Sequence, residues 1–435
     1  MGIWSTAGSL AKQTPPERNR YVDFLRAVSI LVVIVGHWLI ATAWYQDGEL
    51  ITGHLLKDRP GTQWLTWLFQ VMPVFFIVGG YSHAVSLESA RRKGLAYPGW
   101  LIARLNRLIV PVFVLMIVWA GIAFVMTWLD VRPPVIQYMS QASLIPTWFL
   151  AIYIMVAILA PVAFGLWERL GYASVLLFAG LAVAVDIAFF AADLRFLGWS
   201  NYFWVWLTVH QLGFAWRAGR LPDSRWRFVL GIAGFLALYL LITRGPYPLA
   251  MVGSPDEGLS NTLPPKITLI ALGLAQFGFL LAFEAPMRRI LEGAALWTGT
   301  VLVNSMIMTV YLWHITVMIV FGGLLYLAGG IGFGLEPGTG AWWLSRPLWI
   351  GALAAVLVPL SLALSPLERR GRSPDRPVPG ALRQVVGAVM VCLGVALLAL
   401  FGYGGGPEPW LDEAAFGLVV VGSLLAGVLP GRGSR

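Results

Sequence analysis

The chain has 435 residues, 58% of them hydrophobic and only 12% charged, with 21 Trp, a composition that excludes a soluble globular domain or a disordered chain and points to a life in lipid. Its net charge of +9 is scattered over short segments instead of gathered on one face, which argues against a nucleic-acid partner. The single cysteine, Cys392, excludes a disulfide framework and a thiolate metal site.

The first twenty residues are polar, show no cleavable signal sequence and read as a cytoplasmic tail, 1–20. Twelve apolar runs follow, at about 24–44, 64–86, 108–129, 147–166, 172–192, 199–216, 227–243, 267–284, 297–326, 347–365, 384–402 and 414–430. Each approaches the roughly 20 residues that an α-helix needs to cross a hydrocarbon layer about 30 Å thick. The ninth is too long for one straight span, so it tilts or carries an amphipathic lead-in. One composition break interrupts the chain, the basic, Pro-rich stretch from Glu368 to Gly380. The expected organisation is a membrane core over 21–365, a basic cytoplasmic linker over 366–383 and a two-helix transmembrane extension over 384–435. The expected fold is all-α, a polytopic membrane helix bundle of about 12 transmembrane helices, with ten in the core and two in the C-terminal hairpin.

Most Lys and Arg residues fall in loops on the side of the N-terminus, among them Arg91, Arg92, Lys93, Arg288, Arg289, Arg369 and Arg370. The positive-inside rule then places both termini in the cytoplasm. A multi-pass protein of a bacterial inner membrane fits this pattern best.

On the first span, Arg26 and His37 are eleven residues apart. That is close to three helical turns, so both side chains leave one face about 16 Å apart. With Arg26 at the bilayer surface, His37 lies near mid-membrane, where an ionisable group is costly and is a functional-site candidate. The competing reading is a histidine that ties helices together by hydrogen bonding. Asp186, His210 and His314 also lie at membrane depth. Asp186 is expected either to orient an imidazole such as His37 or to pair with an unidentified partner for stability. His210 and Gln211 form a polar pair in an aromatic setting that suits a pocket wall. His314 follows Tyr311 by one turn. His54, in an outer loop, and His83, near an inner helix end, carry no assigned role. Five histidines on five segments, without adjacent acidic or thiol ligands, argue against a metal. Among the outer loops, Trp342-Trp343 reads as an interfacial anchor, and the long 244–265 loop is the candidate for acceptor selectivity.

Several short motifs resemble one family in order. Asp23-Phe24-Leu25-Arg26 through Gly36-His37 resembles the opening Arg-x10-His signature of the acyltransferase 3 family of integral membrane acyltransferases. The stretch from Met72 to Tyr81 is similar to its Phe-Phe-x-x-Ser-Gly-Phe segment, with Gly79 where many members have Ser. Arg104-Leu105-Asn106-Arg107 followed by Pro111 resembles its Arg-x-x-Arg motif, and Thr147-Trp148-Phe149-Leu150 and Tyr311-Leu312-Trp313-His314 resemble two later signatures. The likeness covers about residues 20–365 and leaves out the terminal hairpin.

The resemblance implies transfer of an acyl group, commonly acetyl, from acyl-CoA to a hydroxyl of a carbohydrate, lipid-linked glycan or small-molecule acceptor. Acetyl-CoA is then a donor substrate, and no cofactor is held permanently. His37 suits the general base, since neutral imidazole accepts the hydroxyl proton; an acyl-histidine intermediate is the alternative. Arg26, Arg104 and Arg107 would serve the polyanionic donor, although arginines at the inner end of a span also act as plain anchors. Asp186, His210, Tyr311, His314 and Trp148 would line the substrate pocket. The rival class is a proton-coupled secondary transporter or exporter of a polysaccharide or small molecule, which twelve spans with buried Asp and His also suit. Against it, the two halves of the chain share no duplicated pattern.

Overall fold

The computed structural model describes residues 3–253, 258–369, 377–404 and 410–429. Residues 254–257 of the expected acceptor loop and 370–376 of the expected linker lie outside the described residues. In chain order the elements begin with α1 (Ile3–Lys12), α2 (Arg20–Ile40), β1 (Ala41–Gln46), β2 (Glu49–His54), α3 (Leu55–Asp58), α4 (Thr66–Phe69), α5 (Met72–Arg92) and α6 (Tyr97–Trp128). Next come α7 (Pro133–Leu144), α8 (Thr147–Leu170), α9 (Tyr172–Ala191), α10 (Asn201–Arg217), α11 (Ser224–Arg244) and α12 (Ile267–Ala282). The order ends with α13 (Glu284–Ile290), α14 (Ala294–Ser305), α15 (Ile307–Leu327), α16 (Gly340–Arg369), α17 (Ala381–Phe401) and α18 (Leu411–Leu425).

Among the described residues nine helices are long and apolar enough to cross a bilayer, and the pair α12–α13, bent by 56°, forms a tenth candidate. The sixth and twelfth expected spans are helical, but α10 has 17 residues and α18 has 15, short of the roughly 20 a straight crossing takes. The long ninth run is not one helix but two, α14 and α15, broken at Met306, and only its second part, Ile307–Leu327, is a candidate span.

The chain forms two compact units. The first holds residues 1–86, 160–305 and 330–347. Here the tail expected to be merely polar contains α1, which packs on α14. Ile3, Trp4, Ala7, Leu10 and Ala11 fall at helical spacing. Ala7 and Ala11 are buried, and Trp297 of α14 donates its indole N–H to the Thr14 hydroxyl over 3.1 Å. α2 begins where the Asn19 side chain accepts from the Tyr21 and Val22 amides, an N-cap that satisfies otherwise orphaned donors.

α2 stops at Ile40, four residues before the end of the expected span, because the chain enters an antiparallel hairpin. This departs from an all-α fold. Asp47 and Gly48 both adopt left-handed backbone (φ 53° and 86°), which is the two-residue turn that Asp-Gly favours between paired strands. The register aligns Ala41 with His54. Tyr45 donates its amide to the Phe333 carbonyl over 2.8 Å, which ties the hairpin to the 330–347 segment.

The helices of this unit approach closely at glycines. A Cβ on Gly80 of α5 would lie 2.0 Å from the His210 carbonyl oxygen, and one on Gly213 of α10 would lie 2.1 Å from the Ile77 carbonyl oxygen. α11 and α12 meet the same way, with a Cβ on Gly234 falling 2.4 Å from the Ala275 nitrogen. Lipid supplies no hydrophobic drive between helices, so small residues at the seam give the contact its van der Waals energy.

The second unit holds residues 87–159, 306–329 and 348–435. α15 packs on α6 and α7, and Trp119 donates to the Thr316 hydroxyl over 3.0 Å. The terminal helices are part of this unit. α17 lies on α6 and α7, the Gln384 amide donates to the Pro98 carbonyl over 3.1 Å, and the Tyr403 hydroxyl reaches the Met116 carbonyl over 3.2 Å. α17 and α18 close on each other at Gly387 and Gly422, where either Cβ would come within 2.5 Å of backbone.

Candidate active site

Capped at Asn19, α2 presents an ionic array over its first two turns. Asp23 is buried and accepts from two guanidinium groups. Arg18 donates Nε to Oδ2 at 2.5 Å and an Nη to Oδ1 at 3.1 Å, and Arg26 donates an Nη to Oδ1 at 2.8 Å. Arg26 also donates Nε to the Asn304 side-chain oxygen over 2.8 Å. The Asn304 amide in turn donates to the Asp23 and Thr300 carbonyls, both at 2.9 Å. One carboxylate against two guanidiniums leaves the array net positive at the positive end of the α2 dipole, a setting that favours an anion.

Arg26 stands out in the sequence, but the other three members of the array do not: Asp23 and Asn304, which bond to it, and Arg18, which bonds to Asp23. Asp23 was quoted only as part of a motif. Asn304 is 278 residues away in sequence, and no helical periodicity could link it to Arg26. Arg18 sits outside the helix, half-exposed, and read only as part of the tail.

His37 lies three turns further along α2, half-buried. Its carbonyl accepts the amide of Ala41 at the helix end. The hairpin returns His54 to Ala41, so His37 and His54 come within electrostatic reach of each other. Asp58 follows at the end of α3, and its Oδ2 accepts from the Thr42 hydroxyl over 3.1 Å. Gly53 has no room for a side chain, since a Cβ there would lie 2.5 Å from Asp58 Oδ2 and 2.9 Å from Thr42 Oγ1. His54, read from sequence as an outer-loop residue without a role, is thus held next to the catalytic candidate. Burial pushes its pKa down to about 4 against the opposing pull of Asp58.

Asp186 and His210, in the same unit, have their own partners. Asp186 accepts from the Asn201 amide at 2.9 Å, the Tyr247 hydroxyl at 3.0 Å and the Ile267 backbone N–H at 3.0 Å. It therefore caps the start of α12 and anchors the 244–265 loop. Of the two roles the sequence allows it, pairing is the one these bonds serve, and the Asp186 carboxylate raises the Tyr247 pKa, an effect second to burial. Lys266 is buried beside it with its ammonium 3.7 Å from the Phe189 ring centre.

The described part of that loop is fastened by buried bonds. Asn261 donates to the Pro248 and Ala250 carbonyls at 2.7 and 2.9 Å, and Gln70 donates to the Met251 carbonyl at 2.8 Å. His210 is fully enclosed, and its Nε2 meets Nδ1 of His83 at 2.9 Å. Gln211 donates to the Ala163 carbonyl at 3.0 Å.

Arg104, Arg107, Trp148, Tyr311 and His314 belong to the second unit. Arg104 lies over the Trp100 ring at 3.9 Å and donates to the Trp100 carbonyl at 2.9 Å, while Arg107 is exposed. Tyr311 donates its hydroxyl to the Pro146 carbonyl at 2.8 Å and meets Phe149 edge-on, which brings the Thr147–Leu150 and Tyr311–His314 motifs together. His314 is fully buried, with Nδ1 2.5 Å from the Tyr311 carbonyl. A carbonyl only accepts, so Nδ1 is the donor in this contact. Among the described residues no group of three or more His, Cys, Asp or Glu side chains is placed to hold a metal ion.

Together the long apolar helices and the polar arrays buried among them define a multi-pass membrane protein. A family model described as an acyltransferase domain matches residues 19–366, and the chain belongs to the acyltransferase 3 family. It is a membrane acyltransferase. The matched stretch coincides with the 20–365 region over which the motifs run. No curated protein and no solved structure matches the chain.

Proposed function

We propose that this membrane acyltransferase moves an acetyl group from acetyl-CoA to a hydroxyl of a carbohydrate, lipid-linked glycan or small-molecule acceptor, with His37 as general base. The observation that carries the reading is the Asp23–Arg26–Asn304 array, which fixes a cation on the helix that bears His37. His37 takes the acceptor's hydroxyl proton as the oxygen attacks the thioester carbonyl. The new O–acyl bond forms, the C–S bond breaks, and the CoA thiolate leaves and is protonated by water. Arg26 and Arg18 supply positive charge for the donor, and Arg104 and Arg107 bind its phosphates.

In this reading the chain crosses a bacterial inner membrane twelve times, with both termini cytoplasmic. α10 and α18 complete their crossings with flanking turns. Residues 384–435 form an added hairpin beside the acyltransferase core.

Radiolabelled acetyl-CoA incubated with membranes containing the protein tests the proposal. An acetyltransferase moves label to an acceptor or slowly hydrolyses the thioester, whereas a carrier leaves it intact. His37→Ala, present at wild-type amount, should abolish transfer. Retained transfer would make His37 structural.

A further inference from the structure

The residues around the end of α2 assign a role to a histidine that the proposed chemistry leaves unused. We infer that His54 is a positioning residue for His37: it receives the proton that His37 has taken from the acceptor hydroxyl and, backed by Asp58, returns His37 to its neutral form. The inference rests on the general-base reading above.

The hairpin fixes the geometry. Ala41 lies four residues beyond His37, about 6 Å along the helix, and donates its amide to the His37 carbonyl. Ala41 pairs directly with His54, and directly paired Cα atoms of antiparallel strands are about 5 Å apart. The Asp-Gly turn admits only this return path, because slipping the register by one residue would carry His54 to the other face of the hairpin.

Three features then mark His54 as more than a strand residue. Its Nδ1 is buried and has no hydrogen-bond partner among the described residues, a costly arrangement for a ring whose only task is structural. The residue as a whole stays half-buried, so it is not sealed from exchange. Asp58, four residues on, stands within electrostatic reach of the ring. Its carboxylate is held by Thr42 in the space that the missing Gly53 side chain leaves. An imidazole suits a relay because it accepts a proton on one nitrogen while releasing one from the other.

The proton balance closes without a further reactant. The acceptor's O–H proton passes to His37 and, when the two rings close on each other, to the unbonded Nδ1 of His54, while the Nε2 proton of His54 goes to water. The departing thiolate takes its proton from water.

The test is His54→Ala in the full-length protein, assayed in native membranes as free CoA thiol released from acetyl-CoA, with and without added imidazole. We expect kcat to fall roughly 10- to 100-fold with the KM for acetyl-CoA unchanged, and imidazole to restore the rate in a dose-dependent way. Asp58→Asn, which keeps an acceptor for Thr42, should lower kcat several-fold and serves as the second variant should the alanine protein fail to accumulate. A His54→Ala protein with wild-type kcat would overturn the inference, as would a loss that imidazole does not rescue, or an Asp58→Asn protein of full activity where the alanine protein is missing. Each of these leaves the His37 proposal standing. A wild-type protein that releases no thiol would overturn both.

Discussion

Asp23 is the residue on which the candidate site turns, since it neutralises one of two guanidiniums and orients the second. Its side chain is only 9% exposed and that of Arg26 only 20%. Removing one member of such a pair leaves the other charge buried without compensation. Asp23→Asn should therefore destabilise the detergent-solubilised protein by about 3 kcal/mol, read as a drop in its thermal unfolding midpoint. Asn304→Ala removes one charge-assisted bond to Arg26 and should cost about 2 kcal/mol. An unchanged midpoint in both variants would mean that the array bears no load. The motif around Arg26 and His37 was legible in the sequence because helical periodicity puts both on one face. What holds Arg26 was not legible, because Asn304 reaches it from α14, a helix whose end the long apolar run concealed.

The elements differ in what makes them necessary. α5 and α10 touch backbone to backbone at Gly80 and Gly213, where neither neighbour is a flexible side-chain end that can give way. Gly80→Ala should force the helices apart, break the 2.9 Å contact between His83 and His210 and cost about 1–3 kcal/mol by overpacking. Gly322→Ala, in open space on α15, should be neutral or slightly stabilising by the same measurement.

The β1–β2 hairpin carries a pH prediction. His54 has a folded pKa of about 4, below its ordinary 6.5, so between these values the unfolded chain binds the extra proton. The stability this group contributes is whole above pH 6.5 and is lost as pH falls from there to about 4. Unfolding midpoints of the wild type should fall over that window more steeply than those of His54→Gln. Parallel curves would show that His54 does not titrate as buried. Apolar patterning hid this hairpin, since Ala41–Trp44 reads as the end of a span. The Asp47-Gly48 pair is the signal in the sequence that could have found it.

At the scale of the molecule, composition and hydropathy told most of the story. Each of the twelve apolar runs contains a helix, which satisfies its own backbone in lipid, although the first ends in β1 and the second and ninth are interrupted. What sequence alone missed are the tail helix α1, whose apolar face is short, and the break at Met306, which no Gly or Pro announces. The C-terminal hairpin is fastened to its unit through Gln384 and Tyr403, so truncation after residue 366 should sharply reduce the folded protein recovered from membranes, as read by size-exclusion of the detergent extract. Full recovery would make the hairpin dispensable.

The central claim is that His37 is the base in acyl transfer. Purified wild type and His37→Gln, matched for folded protein, should be compared for initial rate at saturating acetyl-CoA with the membrane extract as acceptor source. The account predicts a loss of roughly 10²–10⁴-fold in kcat for the glutamine variant. Equal rates would contradict it.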